Sequence, residues 1–188
     1  DIPETEERGV SVDAVIAEVP KADPFVVFVF GGPGVGKGTQ CERLSKDFNL
    51  KHLSTGDLLR AEVKSGSEKG KQLEAIMKNG DLVPDEEVLS LLKAEIMADD
   101  GVNRYLVDGY PRKLDQATAF EKEICPASMI VSIEAPDDVM IARILERAKT
   151  SGRADDNEES AKKRLETFHS QSKPVIDYYK DIGIVRKA

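Results

Sequence analysis

The sequence predicts an α/β fold, a parallel sheet of five strands with helices on both faces. Three observations carry that reading. "FVVFVF" at 25–30 is apolar at every position, without the alternation of a half-exposed strand, which suits a central strand covered on both sides. Strand-like and helix-like segments alternate from Pro24 onward, the order that builds parallel sheets. Between the first strand and the first helix lies "GGPGVGKGTQ" (31–40), a glycine-rich turn with a lysine inside it.

The elements follow in order. "TQCERLSKDF" has helical periodicity, and "KHLSTGDLLRAEV" reads as a short strand, a Ser/Thr cap and a helix entry. "SEKGKQLEAIMKNG" and "PDEEVLSLLKAEIMADD" are two further helices, the first ended by Gly80 and the second opened by Pro84. "RYLVDG" is a second buried strand and "ASMIVSIEA" another, with a helix from Lys113 to Glu123 between them. "PDDVMIARILERA" is a helix opened by proline, "KTSGRADDN" a polar loop, "EESAKKRLETFHSQSKPVIDYYK" one long helix and "GIVRKA" a last strand. Residues 1–22 are expected to be a mobile extension, although "SVDAVIAEV" could form a short helix; residues 23–188 form the domain.

Composition narrows the function. The chain has 188 residues, 40% of them apolar and 33% charged, enough for one domain with its own core. A net charge of −8 argues against broad capture of nucleic acid or of an anionic membrane, and no apolar stretch approaches the ~20 residues that span a bilayer. Cys41 and Cys125 make no disulfide framework, and the first residues are acidic, unlike a presequence. A cytoplasmic monomer is the expectation. An anionic ligand would need a local cluster of arginines and lysines.

Gly31 to Lys37 fits the first seven places of the phosphate-binding loop, G-x-x-x-x-G-K. Glycines let successive backbone N–H groups curl around an anion, the helix start adds its positive end, and Lys37 supplies a mobile charge. The eighth place, usually Ser or Thr, is Gly38, with Thr39 one step later. The implied ligand is a nucleoside triphosphate, held by Gly34, Val35, Gly36, Lys37, Gly38 and Thr39.

"GGPGVGKGTQ", "HLSTGDLLR", "GDLVP", "LVDGYPR" and "SGRADDNEE", in this order and spacing, closely resemble short-form adenylate kinases of the cytosolic type, from Phe25 to Lys187. The resemblance implies a three-layer P-loop NTPase fold with a nucleotide-monophosphate segment at 54–83 and a short lid at 146–156. It implies ATP and AMP or ADP as partners and Mg2+ as cofactor. The lid is short and without cysteines, unlike a zinc-binding long-form lid, and no zinc is expected. By the same resemblance Thr55, Gln116 and the backbone of Asp81, Leu82 and Val83 meet the AMP base. Arg60, Arg112, Arg153 and Arg164 address the AMP side, beside Gly109, Tyr110 and Pro111, whose Tyr110–Pro111 bond is expected to be cis. Asp108 positions hydrated magnesium, Arg143 packs on the ATP adenine, and Lys37, Arg112, Arg147, Arg153 and Arg164 stabilise the transferring phosphoryl group. Asp155 and Asp156 either hold the lid arginines or cap a helix.

Two alternatives stay open. Similar kinases for UMP and CMP tend to have Ala in place of Thr55 and Asn in place of Gln116, and a nucleotide-sensing module would have lost turnover. The family also continues past Ala188 with a segment bearing on the ATP base and a final helix. Val35, at a place often small, is expected to matter little, and Ala148, where glycine is common, to stiffen the lid hinge. His52, His169 and Cys41 are given packing or surface roles.

Overall fold

The computed structural model describes residues 24–98 and 101–188. The 1–22 extension and the last two residues of the helix expected at 84–100 lie outside them. The elements are β1 (Phe25–Phe30), α1 (Lys37–Phe48), β2 (Lys51–Ser54), α2 (Thr55–Lys64), α3 (Glu68–Lys78), α4 (Asp85–Ile96) and β3 (Arg104–Asp108). They continue as α5 (Leu114–Glu123), β4 (Met129–Ser132), α6 (Asp137–Ser151), α7 (Glu158–Thr167), a π-helical turn (Phe168–Ser172), α8 (Lys173–Ile182) and β5 (Val185–Lys187). The five strands form one sheet in the order β2-β3-β1-β4-β5, every pair parallel.

β1 sits at the centre, and all six of its residues are buried. Its two faces separate the core. Val26, Phe28 and Phe30 pack with Val107, Ile130 and residues of α4, α5 and α8, where Phe28 meets the Phe120 ring edge-on at 4.9 Å. Val27 and Val29 pack with Leu106, Val131 and, from α1, Cys41 and Leu44. Helices on both faces explain why this strand carries no polar alternation.

Strand order reverses around β1: the chain leaves it for the β2 edge and later crosses to β4. The carboxyl ends of β1 and β3 therefore open onto a crevice, the usual ligand position in an open parallel sheet. The loop after β1 and the Asp108–Arg112 turn after β3 both lie there.

Helix ends mostly follow their local signals. Ser54 caps α2 by accepting from Asp57 N, and Asn157 caps α7 by accepting from Ser160 N. α6 runs past Ala148 to Ser151 and stops at Gly152, which is left-handed at φ 61°. The segment expected as one long helix is divided by the π turn at 168–172. Pro174 accounts for part of that break, because it has no N–H to offer the preceding turn.

Candidate active site

The glycine loop joins β1 to α1, whose N-cap Gly36 adopts φ 106° and leaves the first turn without a side-chain cap. Those N–H groups remain open to an anion. Gly34, at φ 81°, could not be replaced freely: a Cβ there would lie 2.3 Å from the Met140 carbonyl oxygen. The loop is thus pressed onto α6. Val35 is buried against Met140 and Leu165, so its side chain anchors the loop to α6 and α7.

Lys37 folds back into the loop, donating to Gly31 O at 2.8 Å and Gly32 O at 3.0 Å. Burial lowers its pKa from 10.5 to about 8, against the pull of Asp108. A cation held out of water and bonded only to neutral carbonyls is poised to meet a phosphate.

At the end of β3, Asp108 Oδ1 is buried and has no hydrogen-bond partner. An acceptor left unpaired in such a place points to a ligand. The Asp108 carbonyl accepts from Thr55 Oγ1 at 3.1 Å. Gly109 next to it has φ 83°, and a Cβ there would come within 2.6 Å of Thr55 Oγ1, so only glycine allows this approach. The Tyr110–Pro111 bond is cis, as expected.

Arg112 is tied at both ends. Its backbone N–H donates to Gln116 Oε1 at 2.7 Å, its Nε donates to Gly109 O at 2.9 Å, and its carbonyl accepts from Ser172 Oγ at 2.9 Å. Burial pushes its pKa down, and the nearby Arg164 adds to that. Gln116 Nε2 donates to Asp85 Oδ1 at 2.8 Å. The Gln116 amide is therefore oriented, with its oxygen toward Arg112 and its nitrogen toward α4.

Four other arginines are held by carboxylates. Asp156 accepts from Arg147 Nε at 2.8 Å and from the terminal Arg147 nitrogen at 2.6 Å, and Arg164 donates to Asp155 Oδ2 at 2.7 Å. Asp156 thus holds Arg147 and Asp155 holds Arg164, and the cap of α7 is Asn157 instead. Arg60 is bound to Asp57 at 2.6 Å, and Arg153 approaches the same carboxylate at 3.8 Å. Arg143 donates to Val35 O at 3.0 Å.

These groups surround one cavity of about 560 Å³. Every residue to which the sequence gave a nucleotide- or magnesium-binding role lines it except Val35, which packs behind the loop. Lys37 and Thr39 stand at one part of the wall, Thr55, Arg60 and Gln116 at another, and Asp108, Arg112 and Arg164 complete it. A family model described as "Adenylate kinase" matches residues 29–184. This chain belongs to the adenylate kinase family. Among curated relatives, "Adenylate kinase 1" of Schistosoma mansoni is 56% identical over 156 residues, 82% of this chain and 79% of that protein. "Adenylate kinase isoenzyme 1" of Gallus gallus is 52% identical over 163 residues, 86% of this chain and 84% of that protein. The human protein of that name is 49% identical over 163 residues, covering the same shares.

Several residues of this adenylate kinase site escaped the sequence reading. Asp85 orients Gln116, and Ser172 braces Arg112 from the π turn; Phe168 and Ser172 also line the cavity. A signal for the π turn existed in "SKP", since proline inside a helical pattern marks a break. The Asp85 contact spans 31 positions and leaves no local trace. His52 also lines the cavity, and its Nε2 is buried without a partner. His169 instead pairs with Asp137 at the surface, 3.0 Å away. Burial pushes the Cys41 thiol pKa up, so it is no activated nucleophile.

Proposed function

We propose that this chain transfers a phosphoryl group reversibly from MgATP to AMP, giving two ADP. The γ-phosphorus bond to its bridging oxygen breaks as an oxygen of the AMP phosphate bonds to the same phosphorus. That acceptor oxygen is already anionic, so no general base is needed. What the protein supplies is position and fixed positive charge. The observation that carries the reading is the single cavity in which the glycine loop and Lys37 face Arg112 and Arg164.

The roles proposed are those the family resemblance implies, and the shared cavity supports them. The open N–H groups of α1 and Lys37 take the ATP phosphates, with Arg143 toward its base. Thr55, Gln116 and the Asp81–Val83 backbone take the AMP base, and Arg60 and Arg112 its phosphate. Arg147, Arg153 and Arg164 would exchange their carboxylate partners for phosphate oxygens. Segments 54–83 and 146–156 closing over the nucleotides would supply that exchange and expel water, which would otherwise take the phosphoryl group. Asp108 fits magnesium, with a buried, unpartnered carboxylate oxygen beside Lys37. Bound there through water, the ion would offset phosphate charge.

The reading includes a monomer, and a cytoplasmic location with which two unpaired cysteines agree; no helix among the described residues is long and apolar enough to cross a membrane. The test is a coupled assay with AMP, UMP and CMP as acceptors. AMP is expected to have the highest kcat/KM. Faster turnover of CMP or UMP would overturn the assignment, and no turnover of any acceptor would overturn the kinase.

A further inference from the structure

Beneath the nucleotide cavity three side chains with metal-binding atoms converge from three elements. β2 and β3 pair with His52 opposite Leu106 and Ser54 opposite Asp108, so His52 and Asp108 share the sheet face that carries Leu106. α1 covers that face and directs Cys41 into it, beside Leu106. The ligating atoms of Cys41, His52 and Asp108 all lie within 4.8 Å of one another.

Two features separate this cluster from chance proximity. His52 Nε2 and Asp108 Oδ1 are buried side-chain atoms with no hydrogen-bond partner, and among the described residues only these two are so. Leaving one such atom unsatisfied costs about 1–3 kcal/mol, and here two of the three clustered residues each carry one, with a fully buried cysteine as the third. A central ion would need each atom to move inward by about 1 Å or less to reach zinc bond lengths of ~2.0–2.3 Å.

We propose that Cys41, His52 and Asp108 form a site for a zinc-class divalent cation, one that inhibits the enzyme. A thiolate, an imidazole and a carboxylate suit zinc and cobalt, whereas hard magnesium prefers oxygen ligands alone. The cation enters through the nucleotide cavity, which His52 and Asp108 line. Binding converts the Cys41 thiol to thiolate and releases its proton to solvent. Water or a nucleotide oxygen fills the fourth position. The inhibitory part rests on the assignment of Asp108 to hydrated magnesium: the same carboxylate cannot serve both ions.

Cobalt(II), a spectroscopic substitute for zinc, separates the site from the reaction because it is read without nucleotide. Titrated into the wild-type protein, Co2+ is expected to give a cobalt–thiolate charge-transfer band that saturates at one equivalent and is bleached by Zn2+. Cys41→Ala should abolish the band, with the near-isosteric Cys41→Ser as a second variant should the first fail to fold. His52→Gln should weaken Co2+ binding by at least about tenfold and, in assays with excess Mg2+, raise the inhibitory Zn2+ concentration by a similar factor. No band in the wild type, or a band that survives loss of the Cys41 sulfur, overturns the site whether or not the protein turns AMP over. Zinc inhibition unchanged in His52→Gln overturns the inhibitory role.

Discussion

Asp156→Asn tests how Arg147 is held. The Asp156 side chain is fully buried, while Arg147 is 35% exposed. Its carboxylate accepts from Arg147 Nε at 2.8 Å, from the terminal Arg147 nitrogen at 2.6 Å and from Ser151 Oγ at 2.8 Å. Asparagine keeps one acceptor oxygen, removes the charge and turns an NH2 toward donors. Losing charge-assisted bonds costs about 1.5–3 kcal/mol each, and breaking a fully buried pair about 3–5 kcal/mol. Because water can reach Arg147, the lower end applies, and a loss of about 2–3 kcal/mol is expected. For a chain of this size that lowers Tm by about 5–10 °C.

The pH dependence has a definite sign. Burial alone would raise the Asp156 pKa, but the bonds from Arg147 and Ser151 outweigh it and hold the carboxyl below its usual 3.8. A carboxyl with a depressed folded pKa stabilises above its unfolded value and loses that contribution as pH falls through the folded one. The gap between wild type and Asp156→Asn should therefore be constant from neutral pH down to about pH 5 and close below about pH 4. Urea unfolding at several pH values measures it. A gap under about 0.5 kcal/mol at neutral pH, or one that widens in acid, refutes the reasoning.

Other expectations bear on the loop and its charge. Lys37→Met should lower kcat by about 10²–10³-fold with an unchanged circular dichroism spectrum, because it removes a charge aimed at the transferring group. With Lys37 lowered to about 8 in the nucleotide-free protein, a bound phosphate will raise that pKa, so ATP binding above about pH 8 should take up a proton. Calorimetry in buffers of different ionisation enthalpy reads this uptake, and it should vanish in Lys37→Met. Gly34→Ala should destabilise the fold by about 2–4 kcal/mol in a denaturant melt, since its Cβ would meet the Met140 carbonyl at 2.3 Å in a left-handed turn.

What was legible in the sequence was local. "FVVFVF" announced a strand buried on both faces, and the glycine loop announced its own turn and helix. Boundaries were less visible. α1 begins at Lys37 rather than Thr39, because the glycines that curl the loop also enter the helix. α6 continues to Ser151, since "KTS" is polar yet compatible with a helix, and Gly152 stops it. The broken helix at 168–172 had its signal in Pro174, outweighed by periodicity on either side. For the site, motifs brought out the arginines and left two roles open for Asp155 and Asp156, but gave no sign of Asp57 or Asp85 as partners. Asp85 fixes the Gln116 amide from a separate helix, and Asp155 and Asp156 reach Arg164 and Arg147 from the loop between α6 and α7, pairings that depend on packing; Asp57 holds Arg60 from one turn away within α2. The convergence of Cys41, His52 and Asp108 likewise follows from strand register, which no short motif encodes.

Soaking or co-crystallising the protein with two adenosines joined by five phosphates would place both nucleotides at once. The bridging phosphates are expected within about 3 Å of Lys37, Arg112 and Arg164, with Arg147 turned from Asp156 onto a phosphate oxygen. A linker lying outside the cavity, or one that leaves Lys37 on its Gly31 and Gly32 carbonyls, would contradict the account.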